Sequence, residues 1–157
     1  MQVTWNARLA AIGSILVVVS GCATVGTTSP QEARNALAAK AVESKALVYF
    51  MAPQIGGFIV NISMNGRNVG KVKDRTFIYC YFAPGSYDVM TDGQFPIMGK
   101  WSATMAIDQN KTYYIMVPYG PARFVQPESA RRTLNEYYSL SKTMDCKTEM
   151  LAAPPRR

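Results

Sequence analysis

Residues 58–72 read FIVNISMNGRNVGKV, and this stretch decides the fold. Phe58, Val60, Ile62 and Met64 alternate with Ile59, Asn61, Ser63 and Asn65, the period-two pattern of a strand with one face toward a core and the other toward water. Asn65-Gly66 follows at once. That pair accepts the positive φ angles of a tight hairpin turn, so a second strand is expected to return through Asn68 to Val72. Asp74 and Arg75 make the next turn.

On either side of this hairpin the chain repeats the same theme. Strands are expected at Ala46 to Ala52, Thr76 to Phe82, Ser86 to Thr91, Trp101 to Ile107, Thr112 to Pro118 and Arg123 to Gln126. Turn signals separate several of them: Ala83-Pro84-Gly85, Asp92-Gly93 and Asp108-Gln109-Asn110. Seven or eight short strands, joined by turns too short for crossover helices, predict a mainly β protein folded as an antiparallel β-sandwich. Two helices flank it. Ser29-Pro30-Gln31-Glu32 combines an N-cap serine, a proline at the first helical position and a glutamate at the third, opening an Ala-rich helix that is expected to run to about Ser44. With only Leu37 and Val42 to bury, it must dock to be stable. Near the C-terminus, Ala130, Leu134, Tyr137 and Tyr138 lie at helical spacing in Glu128 to Leu140. The tail Ala152 to Arg157 ends Pro-Pro-Arg-Arg and is expected to be mobile.

The first 22 residues, MQVTWNARLAAIGSILVVVSGC, have a different character. Arg8 gives a thin positive region, and Leu9 to Val19 is an apolar or small-residue run, too short for a permanent membrane span of about 20 residues but suited to an export signal. Val19-Ser20-Gly21-Cys22 resembles the lipobox of bacterial lipoproteins, in which small residues let a signal peptidase grip an extended backbone and the cysteine thiol accepts diacylglycerol. The resemblance implies cleavage after Gly21 and a Cys22 bearing diacylglycerol and an N-acyl chain. Ala23 in place of aspartate implies sorting to the outer membrane. The expected organisation is a signal peptide at 1–21, a lipidated tether and Ala-rich helix at 22–45, a β-sandwich at 46–127, and a C-terminal helix and tail at 128–157.

Several segments in order resemble a family of small bacterial lipoproteins built on a domain of unknown function related to the PEGA-type β-sandwich. They are Ser29-Pro30, Ala46-Leu47-Val48-Tyr49-Phe50, Asn65-Gly66 with Gly70, Phe82-Ala83-Pro84-Gly85-Ser86-Tyr87, and Lys111-Thr112-Tyr113-Tyr114-Ile115. The resemblance implies a transthyretin-like or immunoglobulin-like sandwich without an established activity.

Composition narrows the chemistry. The 157 residues contain no histidine, which removes the commonest general base and metal ligand and every Ser-His or Cys-His pair. The carboxylates Asp74, Asp88, Asp92, Asp108, Glu128, Glu136 and Asp145 fall mostly in or beside turns, where they serve local backbone hydrogen bonds, and no pair has a catalytic spacing. No catalytic residue, metal site or cofactor is expected beyond the lipid on Cys22. Three cysteines leave Cys80 and Cys146 once Cys22 is acylated, and in an oxidising periplasm these two are candidates for a disulfide, the alternative being a buried Cys80 thiol and a free Cys146.

The formal charge is +7, spread without a dense block, so nucleic acid is not an expected partner. Lys71, Lys73 and Arg75 recur at alternate positions. They either hold an anionic glycan or lipid or guard a strand edge against pairing between molecules. Tyr79, Tyr81, Tyr113 and Tyr114 either stack on sugar rings or fill the core. The loop Thr91 to Lys100 is long enough for a contact surface. The expected role is a lipid-anchored, periplasm-facing, non-catalytic accessory module that binds another envelope protein through a sheet edge or that loop. The alternative is a module that binds peptidoglycan or an anionic lipid.

Overall fold

In the computed structural model, residues 26–93, 99–118 and 120–141 are described. The signal, the lipobox, Cys146 and the C-terminal tail lie outside these residues. The described residues build two sheets and two short helices. One sheet contains β2 (Val60–Met64), β3 (Arg67–Val72), β5 (Gly85–Gly93) and β6 (Lys100–Ile107), in the order β3-β2-β5-β6, all antiparallel. The other contains β1 (Ala46–Met51), β4 (Thr76–Phe82), β7 (Thr112–Met116), β8 (Arg123–Phe124) and β9 (Ser139–Leu140), in the order β8-β7-β1-β4-β9.

The deciding hairpin forms as its sequence dictates. Val60, Ile62 and Met64 are buried while Asn61 and Ser63 are half-exposed. Asn65 and Gly66 take φ angles of 49° and 76°, the two positive values that the turn demands. The pairing with β3 shifts register between Ile62 and Ser63, opposite Val69, so the returning strand carries a bulge.

The five-stranded sheet is mixed, which corrects the expectation of an all-antiparallel sandwich. β1 runs parallel to β7, and β4 parallel to β9. The reason lies in the connections: after β6 the chain crosses from one sheet to the other through the turn at Asn110 (φ 60°) and enters β7 beside β1 rather than beside β6. A parallel neighbour needs a long connection, and the whole four-stranded sheet lies between β1 and β7 in the chain.

β1 also departs from the period-two pattern because it is buried on both faces. Val48 and Phe50 join Ile62, Val60, Ile78, Phe82, Val89 and Ile115 in the core between the sheets. Leu47, Tyr49 and Met51 point the other way, into a second core that the helices cover. Helix α1 (Pro30–Leu37) reaches this face through Ala33 and Ala36, and α2 (Pro127–Tyr137) through Ala130 and Leu134. Small residues at these contacts bring the helices close to the sheet, and the docking supplies the apolar burial that α1 lacks alone.

Helix α1 begins where expected. The Ser29 hydroxyl accepts from the Glu32 amide, and the Glu32 carboxylate accepts from the Ser29 amide at 2.9 Å. It ends at Leu37 rather than near Ser44, although the next residues favour helix. The Tyr49 hydroxyl donates to the Ala36 carbonyl at 2.8 Å, and the Ala39 amide donates to the same oxygen. The acceptor that Lys40 would need to continue the helix is thus taken by a residue of β1. Changing Tyr49→Phe is expected to cost about 1 kcal/mol in urea denaturation, the usual worth of one such bond. The C-terminal helix likewise stops early, at Tyr137, because Ser139 and Leu140 leave it to pair with Thr76 and Phe77 as β9.

Candidate functional site

The predicted site residues fall into three groups. Cys22, Val19, Ser20, Gly21 and Cys146 lie outside the described residues. Cys80 sits in β4, 1% exposed among the side chains between the sheets, and is bonded in a disulfide. The other half of that bond also lies outside the described residues.

Lys71 belongs to β3, the edge of its sheet, while Lys73 and Arg75 follow in the turn toward β4. The three do not continue one strand face: Arg75 takes a left-handed φ of 52°, and its guanidinium donates to the Gln54 side-chain oxygen at 3.1 Å. Between them, Asp74 accepts from the backbone amides of Ile55 and Gly57, so this carboxylate fixes the neighbouring loop. The chain termini of the described domain close on the same place. Thr27 forms a bridge with Ser141, the Thr28 amide donates to the Leu140 carbonyl at 2.9 Å, and the Ser139 amide donates to the Arg75 carbonyl at 3.0 Å. The Ser141 hydroxyl donates to the Lys71 carbonyl at 2.8 Å, tying the edge of one sheet to the edge of the other. Residues 27, 71–75 and 139–141 therefore form one lateral edge. Sequence reading marked the basic series but missed its neighbours, since a single-residue bridge and a two-residue strand carry no periodicity.

The tyrosines are divided by the strand pleat. Tyr79 and Tyr81 lie on the helix-covered face, with Tyr79 5.9 Å from Tyr49 and the Tyr81 hydroxyl donating to the Lys40 carbonyl at 3.2 Å. Tyr114 stacks on Tyr49 with ring centroids 5.1 Å apart and planes within 7°. Burial raises the pKa values of Tyr49, Tyr81 and Tyr114 and holds these phenols neutral. Tyr113 faces the other side and packs against Phe124 at 5.4 Å. The four predicted aromatics thus share no open platform for a sugar. Two shallow clefts of about 400 and 310 Å³ meet over Tyr114, the larger bordered by Lys40 and Arg131.

Three of the candidate carboxylates are occupied locally. Asp88 accepts from the Thr104 hydroxyl at 2.7 Å, Asp92 pairs with Lys100 at 3.5 Å, and Asp108 accepts from Lys111 at 2.8 Å and from the Tyr113 hydroxyl at 3.2 Å. The last two contacts, Lys111 first, lower the Asp108 pKa. Among the described residues, no three Cys, Asp or Glu side chains come together to hold a metal ion, and no helix is long and apolar enough to cross a membrane.

The opposite lateral edge is different in kind. β6 is eight residues long and, among the described residues, pairs with β5 alone. Ser102, Thr104 and Ala106 are exposed, Trp101 is 45% exposed, and the strand holds no proline. Its one basic residue, Lys100, is held by Asp92. The bulge and the two-residue strands that blunt an edge are found at β3, β8 and β9 instead. Of the expected loop Thr91 to Lys100, the first three residues extend β5, Lys100 begins β6, and residues 94–98 lie outside the described residues.

Comparison with protein-family models and with curated proteins returned no match.

Proposed function

We propose that the protein is a non-catalytic accessory lipoprotein, anchored through acylated Cys22 at the periplasmic face of the outer membrane, which engages another envelope protein along β6. The observation that supports this reading is the β6 edge, which among the described residues pairs with β5 alone. Eight residues of strand without bulge or proline at the margin of a four-stranded sheet are a template on which an extended segment of a partner adds as a fifth strand, with main-chain hydrogen bonds giving affinity. The local hydrogen bonds of Asp74, Asp88 and Asp108 and the lack of histidine fit a module without reactive groups.

The transthyretin-like or immunoglobulin-like, PEGA-related reading belongs with this proposal. It draws support from Tyr87, whose hydroxyl donates to the Ala83 carbonyl at 2.8 Å, a bond of the type made by the tyrosine corner of Greek-key sandwiches. The second reading, a module that binds peptidoglycan or an anionic lipid, is favoured by one observation: Lys71, Lys73 and Arg75 gather beside the N-terminal bridge.

A photo-crosslinking amino acid placed at Ser102 in living cells tests the β6 proposal. One discrete protein adduct is expected from Ser102 and none from Asn35, on the exposed side of α1. The same adducts from both sites, or none from Ser102, would overturn it.

A further inference from the structure

We infer that the protein lies on the bilayer in a fixed orientation, with the edge formed by Thr27, Lys71, Lys73, Arg75 and Ser139 resting on anionic phospholipid headgroups and β6 facing away. The inference rests on the acylation of Cys22 proposed above and goes beyond it, because an anchor alone lets a domain tumble.

Three observations carry it. First, the tether is short. Ala23 to Thr28 reads as a featureless spacer, yet Thr27 is already bridged to Ser141, so five peptide steps separate it from Cys22, a reach of about 18 Å at full extension. The anchor therefore keeps the Thr27 edge of the domain within about 18 Å of the lipid. Second, that edge is basic among the described residues. Lys71, Lys73 and Arg75 carry three positive charges to the one negative charge of Asp74 between them, whose oxygens accept from the Ile55 and Gly57 amides. Charge of this sign beside a lipid anchor is the complement of an anionic headgroup layer, and an acyl chain with an adjoining basic patch is the two-signal arrangement that holds proteins firmly on membranes. Third, the Ser141 to Lys71 bond places the β3 and β9 edges together. β6 then lies three strand spacings away, about 14 Å, at the far side of its sheet.

The sequence supplies its own reporter. With Trp5 removed in the signal, Trp101 on β6 is the one tryptophan of the mature chain. The acylated protein is reconstituted in vesicles of phosphatidylcholine with phosphatidylglycerol, containing a headgroup-nitroxide lipid as quencher. Trp101 is expected to keep its emission, whereas a Trp101→Phe, Ser139→Trp variant loses most of its emission. In the Lys71→Gln, Lys73→Gln, Arg75→Gln variant, or in pure phosphatidylcholine, the contrast between the two positions is expected to shrink, and about 0.5 M salt is expected to do the same by screening. The disulfide and the cooperative unfolding of each variant report that it has folded. If the protein carries the acyl mass and floats with vesicles but both tryptophans are quenched alike, the orientation is wrong and the anchor stands. If no acyl mass is found and nothing floats, the anchor reading itself fails. Equal contrast on neutral and anionic vesicles would remove the basic edge as its cause.

Discussion

Replacing Phe50 with alanine is expected to destabilise the domain by about 3–5 kcal/mol, enough to leave much of it unfolded at growth temperature. Phe50 is fully buried at the centre of β1, with Phe82 packed edge-on at 6.1 Å. Its strand pairs with β4 on one side and β7 on the other, so neighbours on both sides are fixed and the site cannot collapse to refill the space. The same change at Phe124, which is 46% exposed on a two-residue edge strand, is expected to cost under about 1 kcal/mol. Urea denaturation of the two variants side by side checks the contrast. Similar midpoints would mean that the double burial of β1 does not govern stability.

The second large effect concerns the disulfide of Cys80. We expect Cys146 to be its partner, because the acylation proposed for Cys22 would commit that sulfur to a thioether. A bond between Cys80 and Cys146 closes a long loop, and removing that constraint from the unfolded chain is expected to cost about 4 kcal/mol. Cys146→Ser should therefore lower the urea midpoint sharply, and adding reductant to that variant should change nothing more. A variant as stable as the parent, or one still sensitive to reductant, would show that Cys80 is bonded elsewhere. Because Cys80 is buried between the sheets, a bond to Cys146 would tie the segment after β9 back to the core.

How much of this was written in the sequence depends on the range of the interaction concerned. The β2–β3 hairpin was legible because alternation and Asn65-Gly66 act within a few residues, and Ser29-Pro30-Gln31-Glu32 marked the start of α1 for the same reason. Its end was not, since the hydroxyl that stops it belongs to Tyr49, 13 residues further on. The parallel β1–β7 pair was also hidden, because a turn that crosses between sheets and a turn that closes a hairpin are equally short. In β1 the residues ALVYFM are all apolar, and a strand sandwiched by a sheet and helices shows no alternation to read. Of the candidate sites, the basic series was visible as charge, but its position beside the N-terminal bridge depends on contacts between residues 27, 71 and 141, which no local pattern encodes.

The placement of β1 has a consequence for biogenesis. In the export proposed above the chain would emerge N-terminus first, with β1 arriving well before its partners: β4 comes later, β7 later still, and α2 and the short strand β9 on its outer side come last. Meanwhile the hairpins between them join only near neighbours in the chain and can form early. On that proposal the all-apolar segment β1 would wait, uncovered, until nearly the whole domain had crossed the inner membrane. That interval of exposed apolar surface favours aggregation, and a periplasmic holding chaperone should shorten it by shielding residues 46–51 during secretion.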